Sequence, residues 1–119
     1  MHSILLVDDE PEILAAWRLI LEDEGYQVRC ASNGAEALER AASNVPDLVI
    51  TDWMMPVMDG AELYRRLRAL PQLADVPVLV HSAVPPPLGD GTPWDVCLQK
   101  PVSAELFLAT IAQLGKRRH

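Results

Sequence analysis

Polar residues that could take part in chemistry stand within two residues of the ends of short apolar runs at several places in the chain. Two aspartates follow the first run, a third aspartate follows a later one, and a serine and a lysine follow two more. Taken singly, each has an ordinary explanation as a helix cap, a turn residue, a loop hydroxyl or a surface charge. Their shared position makes them candidates for one site. These residues are Asp8, Asp9, Asp52, Ser82 and Lys100.

The carboxylates in this set predict a cation site. Carboxylates that lie together repel one another and raise one another's pKa unless a cation joins them. The ligand atoms would be hard oxygens, and the set contains no His or Cys. Such oxygen ligands favour Mg²⁺ or Mn²⁺ over zinc.

The lysine and the hydroxyl indicate what the cation could serve. A metal-bound carboxylate beside a lysine and a hydroxyl suits a phosphoryl group, because all three can neutralise or hydrogen-bond its oxygens. An aspartate such as Asp52 can also act as the nucleophile. The chain has neither GxxxxGK[ST] nor GxGxxG, so nucleotide binding through either glycine motif lacks support.

The apolar runs are typical of strands buried on both faces, and they alternate with segments of helical period. This alternation predicts an α/β fold with a doubly wound, five-stranded parallel sheet, in a single domain of residues 1–119. Ligands collect at the carboxyl ends of the strands in such a sheet, where the polar set would meet. The predicted strands are Ile4–Val7, Gln27–Cys30 near an edge, Leu48–Ile50, Val76–Val80 and Val96–Leu98. Helices are predicted from Pro11 to Gly25, from Asn33 through Arg40, around Leu63, Leu67 and Leu70, and around Phe107, Ile111 and Leu114.

One segment departs from the alternation. Between Ala83 and Trp94, where a fourth helix is due, the chain carries four prolines and two glycines. Proline removes backbone donors and clashes with the preceding turn, and each glycine costs a helix about 1 kcal/mol. We therefore expect the fourth helix to be shortened or replaced by a Pro-rich loop.

Composition and charge exclude several classes of protein. Half of the 119 residues are hydrophobic and the formal net charge is −7, which argues against a nucleic-acid surface. No apolar run is long enough for a membrane span, and Met1-His2-Ser3 leads into a strand rather than a signal peptide, so a cytoplasmic location is expected. Cys30 and Cys97 lack CxxC spacing and the histidines are scattered, so a zinc site is not expected.

In combination, the motifs resemble the receiver domain of two-component response regulators, over essentially the whole chain. The resemblance implies a flavodoxin-like fold that works as a phosphorylation switch. It implies a signalling domain rather than an enzyme, although one that assists its own phosphorylation and dephosphorylation. The implied phosphoryl donor is a histidine kinase or a phosphotransfer protein. The matching strings are Leu6-Val7-Asp8-Asp9-Glu10, Asp52-Trp53-Met54-Met55-Pro56-Val57-Met58-Asp59-Gly60, Ser82-Ala83 and Lys100-Pro101.

The resemblance gives roles to the residues that would meet the phosphoryl group. Asp52 matches the aspartate that accepts it. Lys100 matches the lysine that pairs with the phosphoryl oxygens, and Pro101 matches a proline that is usually cis. Ser82 matches the hydroxyl that moves to bind the phosphoryl group.

The resemblance also implies how Mg²⁺ would be held. Asp9 matches a direct ligand, and Asp8 matches its neighbour, which acts largely through water. Asp52 shares the ion. Met54 matches the position whose backbone carbonyl completes the metal site.

Two departures from the family pattern concern the readout. Cys97 stands where receivers commonly carry a Tyr or Phe that rotates inward on activation, and a thiol cannot perform that movement. The Pro-rich segment replaces much of a helix that many relatives use for dimerisation or output. We therefore expect an atypical output surface, which should not dimerise on activation and should signal through the segment after Ser82 or through the first helix.

Two other functions are weighed against the switch. The first is a receiver-like protein-interaction domain that no longer depends on phosphorylation. The second, a phosphatase with an aspartyl nucleophile, is disfavoured because Met54 stands where such enzymes place a second acidic residue. The downstream protein partner stays open, as does the choice between a free-standing receiver and part of a longer regulator.

Overall fold

Strands and helices alternate along the part of the chain that the computed structural model describes, which comprises residues 3–53, 58, 60–82, 96–100 and 102–117. The predictions for Met54, Pro101 and the Pro-rich segment lie outside the described residues. The described strands are β1 (Ser3–Val7), β2 (Gln27–Ala31), β3 (Leu48–Thr51), β4 (Val78–Ser82) and β5 (Val96–Gln99). The described helices are α1 (Pro11–Asp23), α2 (Gly34–Ser43), α3 (Gly60–Ala69) and α4 (Ala104–Arg117), with a short 3₁₀ turn at Pro71–Leu73.

The five strands form one parallel sheet in the order β2-β1-β3-β4-β5, which confirms the predicted fold. β3 is the central strand, and β2 lies at an edge as its alternating pattern predicts. Residues of β1 pair on both sides, with Leu6 opposite Cys30 of β2 and Ile50 of β3. The carboxyl ends of all five strands therefore point toward one edge of the sheet.

Helices cover both faces of the sheet, and each face has its own core. On one face, α2 and α3 bury Ala37, Ala41, Leu63 and Leu67 against the sheet. On the other face, α1 and α4 bury a set of larger side chains together with Ile4, Leu6 and Ile50 of the strands. Burial on two faces explains why β1 and β3 are apolar throughout. The buried helix residues of the second face are Leu21, Phe107, Ile111 and Leu114.

Local sequence signals set the helix ends. Pro11 occupies the first turn of α1, where its missing N–H leaves no hydrogen bond unmade. After α1, Gly25 has a φ of 95°, a left-handed conformation that glycine adopts without strain. The Asn33 side chain caps α2 by accepting a hydrogen bond of 2.9 Å from the Glu36 N–H, and the Ser103 hydroxyl accepts one of 3.1 Å from the Leu106 N–H at the start of α4.

The fourth strand is displaced by two residues at each end from its predicted bounds. The apolar run predicted Val76–Val80, whereas β4 runs from Val78 to Ser82. Pro77 has no N–H to give to a ladder, although its carbonyl accepts a bond of 3.0 Å from Val49 N–H. At the other end, pairing of His81 with Leu98 and of Ser82 with Gln99 extends the strand past its apolar residues.

Among the described residues, no helix is both long enough and apolar enough to cross a membrane.

Candidate functional site

The polar residues singled out by the sequence lie at the carboxyl edge of the sheet, held there by continued backbone pairing. The N–H of Asp8 donates to the Ala31 carbonyl at 3.1 Å, and that of Asp52 donates to the Val7 carbonyl at 3.1 Å. The N–H of Lys100 donates to the Ser82 carbonyl at 2.8 Å. Each of these residues thus extends the ladder by one step beyond its strand, so its position follows from the register of the sheet.

Lys100 joins the ends of three strands. Its Nζ donates to Asp8 Oδ2 at 2.8 Å and to Asp52 Oδ2 at 3.4 Å. A third carboxylate oxygen, Glu10 Oε1, lies 3.9 Å from the same ammonium. The side chains of Lys100, Asp8 and Asp52 are exposed by only 11%, 3% and 9%, so solvent screens these two pairs weakly.

Burial and neighbouring charges shift the pKa values of Asp8 and Lys100. Burial raises the pKa of Asp8, and the hydrogen bonds from Lys100 and from the Glu10 N–H reduce that rise without cancelling it. Burial opposes the charge of Lys100, but the bond to Asp8 and the charges of Asp8 and Asp52 outweigh it and raise the pKa of Lys100. The lysine is therefore a permanent cation at neutral pH.

Among the described residues, four carboxylates converge at this edge. One ligand oxygen from each of Asp8, Asp9, Glu10 and Asp52 lies within 4.8 Å of the others. Asp8 and Asp52 are buried, whereas Asp9 and Glu10 are exposed. Oxygen ligands at this spacing, two deep and two at the mouth, fit a hard divalent cation such as Mg²⁺.

Glu10 is the member of this group that the sequence prediction missed. It stands between Asp9 and the first residue of α1, and its N–H donates to Asp8 Oδ1 at 2.9 Å. That bond bends the chain back toward the site, so three consecutive acidic residues reach one point. The signal available in the sequence was the unbroken run Asp8-Asp9-Glu10 before Pro11.

Of the other predicted site residues, Ser82 lies within the described part of the chain and Met54 does not. Ser82 is buried at the end of β4, beside the strand that carries Lys100. Trp53, half-buried, follows Asp52 and donates its N–H to Asp52 Oδ1 at 2.7 Å. Met54 lies outside the described residues, so its carbonyl stays a prediction.

His81 has a different environment from the one its scattered position in the sequence suggests. It is 4% exposed and its ring lies edge-on to both Trp17 of α1 and Phe107 of α4. Burial lowers its pKa to about 4, with the charge of Lys100 lowering it further and that of Asp52 opposing the change. The imidazole is therefore neutral at pH 7.

The two cysteines are free thiols. Both are half-buried, and burial raises the pKa of each. Cys97 pairs with Val80 in the β4–β5 ladder, on the strand face opposite to Leu98, which packs against the core of α1 and α4.

Comparison with known proteins gives a consistent result. The sequence profile of the family described as "Response regulator receiver domain" matches residues 4–86. The Response regulator MprA of Mycobacterium sp. (strain KMS) is 38% identical over 118 residues, which cover 96% of this chain and 50% of the relative. The Sensor histidine kinase TmoS of Ectopseudomonas mendocina is 44% identical over 82 residues, which cover 69% of this chain and 8% of the relative.

Among solved structures, the chemotaxis protein CheY4 of Vibrio cholerae superposes with a TM-score of 0.89 at 32% identity, over 96% of this chain and 98% of that one. The chain thus spans half of MprA and a small part of TmoS. Its likeness to CheY4 extends over nearly the full length of both chains.

Proposed function

Because the chain belongs to the response regulator receiver domain family, we propose that Asp52 accepts a phosphoryl group in a Mg²⁺-dependent reaction and that the domain thereby acts as a signalling switch. The proposed donor is a histidine kinase or a phosphotransfer protein. The observation that carries the proposal is Lys100, whose ammonium lies 2.8 Å from Asp8 and 3.4 Å from Asp52 within a cluster of four carboxylates.

The proposed reaction is a phosphoryl transfer between two side chains. A carboxylate oxygen of Asp52 attacks the phosphorus, and a P–O bond forms as the bond from phosphorus to the donor's histidine nitrogen breaks. The nitrogen keeps the electron pair of the broken bond. The product is an acyl phosphate on Asp52.

The residues around Asp52 divide the work of holding charge. Mg²⁺, when bound, neutralises the phosphoryl oxygens. Asp9 would ligate it directly, Asp8 largely through water, Asp52 through a carboxylate oxygen and Met54 through its backbone carbonyl. Mn²⁺ is an alternative ion for the same oxygen ligands.

Lys100 and Ser82 would respond to the new group. The Lys100 ammonium, already paired with Asp52, would pair with a phosphoryl oxygen. The Ser82 hydroxyl would move to hydrogen-bond another. Lys100→Ala should therefore leave the acceptor able to react while uncoupling phosphorylation from any change of shape.

Intact mass spectrometry after treatment with acetyl phosphate tests the acceptor. With Mg²⁺ present we expect one added phosphoryl group, sensitive to hydroxylamine as acyl phosphates are, and none with chelator. Asp52→Asn should abolish the addition, whereas Asp75→Asn, a change of an exposed carboxylate after α3, should not. Stoichiometric labelling of Asp52→Asn would contradict the assignment.

The rival function, a receiver-like interaction domain independent of phosphorylation, has one observation in its favour. Cys97 is a small side chain in the β4–β5 ladder at the position of the usual aromatic. An unmodified chain in the mass experiment, with Mg²⁺ bound, would favour this rival.

Trp53 offers a direct measure of Mg²⁺ binding. Its backbone N–H contacts Asp52, so its fluorescence should change on titration with Mg²⁺. Asp9→Ala should weaken binding at least several-fold, because it removes the proposed direct ligand. Unchanged affinity in Asp9→Ala would exclude the proposed ligand set.

A further inference from the structure

Three aromatic side chains form a compact group on the face of the sheet that α1 and α4 cover. Trp17 and Phe107 are stacked, with ring centroids 3.9 Å apart and planes 13° apart. The edge of His81 meets both, at 5.6 Å from Trp17 and 5.3 Å from Phe107. We call Trp17, His81 and Phe107 the ring cluster.

The ring cluster is joined to the site by a single peptide bond. His81 directly precedes Ser82 at the end of β4, and the Ser82 carbonyl accepts the N–H of Lys100 at 2.8 Å. Successive side chains of a strand point to opposite faces. A movement of Ser82 toward Asp52 thus turns the backbone that also carries the His81 ring.

Edge-on aromatic contacts, rather than a hydrogen bond at Nε2, hold the His81 ring. The Nε2 atom is buried and has no hydrogen-bond partner within the described part of the chain. Leaving a buried polar atom without a partner is unfavourable for folding. The ring can therefore shift against Trp17 and Phe107 without breaking a bond at that nitrogen.

On the face of β5 that points away from α1 and α4, the residue is Cys97, which has no aromatic ring. Cys97, which lies on that face, has a small side chain that cannot report a movement of Ser82 over a distance. The ring cluster instead spans three elements, because it contains residues of α1, β4 and α4.

We propose that the ring cluster carries the state of the phosphoryl site to α1 and α4, with His81 as the positioning residue between Ser82 and Trp17. This inference rests on the proposed function. When Ser82 binds the phosphoryl group, the peptide after His81 turns and the His81 ring changes its edge contact with Trp17. The Trp17–Phe107 stack adjusts, and the outer faces of α1 and α4 become the surface that differs between the two states.

Fluorescence of Trp17 tests the relay. In a Trp53→Phe, Trp94→Phe background, Trp17 is the remaining tryptophan, and Mg²⁺ with beryllofluoride serves as the phosphoryl mimic. Fluorine NMR measures bound beryllofluoride in each variant. We expect a saturable change in Trp17 emission that follows the bound fraction, and its loss in His81→Leu with beryllofluoride binding retained.

Two further variants keep the test informative. Leu79→Met, on the same face of β4 two residues earlier, should preserve the Trp17 response and so controls for core disturbance. His81→Met repeats the loss with a flexible side chain of similar size, and near-UV circular dichroism verifies that each variant is folded.

Failure of the relay and failure of the proposed function would give different results. If beryllofluoride binds and Trp17 does not respond, or if His81→Leu and His81→Met both keep the response, the relay is wrong and the phosphoacceptor function stands. If fluorine NMR shows no bound beryllofluoride in the background chain with Mg²⁺, the proposed function fails and the relay fails with it.

Discussion

Lys100 contributes to the stability of the fold as well as to its proposed chemistry. Its ammonium bonds the buried carboxylate of Asp8 across a separation of 92 residues in sequence. A buried carboxylate that loses its cation keeps the cost of burial without the compensating attraction. The site therefore depends on this pair when no divalent cation is bound.

Lys100→Met should destabilise the fold by about 2–4 kcal/mol in the absence of Mg²⁺, because it leaves Asp8 buried without its cation. Urea denaturation in chelator measures this, and added Mg²⁺ should restore part of the loss. Arg65→Ala is the matched control, since it removes an exposed pair with Glu62 that is worth less than about 1 kcal/mol. Equal losses in the two variants would contradict the expectation.

His81 should make stability depend on pH. Its pKa is lowered to about 4 in the folded chain, from an ordinary value of 6.5. Between these values the unfolded chain binds a proton that the folded chain does not, so stability is lost as pH falls from 6.5 toward 4. The full loss is roughly 3 kcal/mol, from about 1.4 kcal/mol for each unit of pKa.

Denaturation of wild type and His81→Leu across this pH range isolates the His81 contribution, because the carboxylates titrate in both. We expect the stability difference between the two chains to shift in favour of the variant as pH falls. Parallel pH profiles would show that the His81 imidazole is protonated without cost in the folded chain.

At the scale of elements, the start of α2 lies close to Met58, which stands before α3. A Cβ at Gly34 would come within 2.7 Å of the Met58 carbonyl oxygen and 2.8 Å of the Met58 Cβ. Such a contact is too short to persist, so only glycine permits this approach. Met58 belongs to the segment that also contains Met54, the proposed carbonyl ligand.

Gly34→Ala should therefore destabilise the fold by about 1–3 kcal/mol, through crowding against Met58, and should weaken Mg²⁺ binding several-fold. Gly25→Ala is the matched control. It carries a strain cost of about 1–2 kcal/mol at a φ of 95°, but meets no atom within 4 Å. Isothermal titration with Mg²⁺ distinguishes them, and equal affinities would exclude a role for this contact in the metal site.

Elements that could be predicted from the sequence are those in which one signal dominates. The unbroken apolar run of β1, Pro11 in the first turn of α1 and Asn33 before α2 each act locally, and the structure confirms all three. The end of β4 could not be predicted in this way. Its last two residues are polar, and pairing with β5 alone makes them part of the strand.

The same distinction applies to the site. Asp8, Asp52 and Lys100 meet because strand ends in a parallel sheet share an edge, which the order of elements predicts. Glu10 and His81 were missed because their surroundings depend on contacts that form only in the folded chain. The bond from the Glu10 N–H to Asp8 brings the Glu10 carboxylate to the mouth of the site. His81 is covered by Trp17 and Phe107, which come from helices at opposite ends of the sequence.

At the scale of the whole molecule, the proposed output differs from that of receivers that dimerise on activation. We expect no dimer on addition of Mg²⁺ and beryllofluoride, because the usual aromatic is replaced by Cys97 and the Pro-rich segment is predicted not to form a full helix. Sedimentation velocity with and without beryllofluoride measures this. A shift from monomer to dimer that substitutions near Cys97 and Phe107 abolish would show that the usual output surface is retained.

The position of Asp52 after the central strand bears on how long a phosphoryl group attached to it should last. All four residues of β3 are buried, and the strand is bonded on both sides. Amide protons in such a strand exchange with deuterium through openings whose free energy approaches that of global unfolding. The backbone beneath the proposed acceptor is thus among the last parts of the fold to open, and we expect the lifetime of the proposed acyl phosphate to follow from access of water at the mouth of the site.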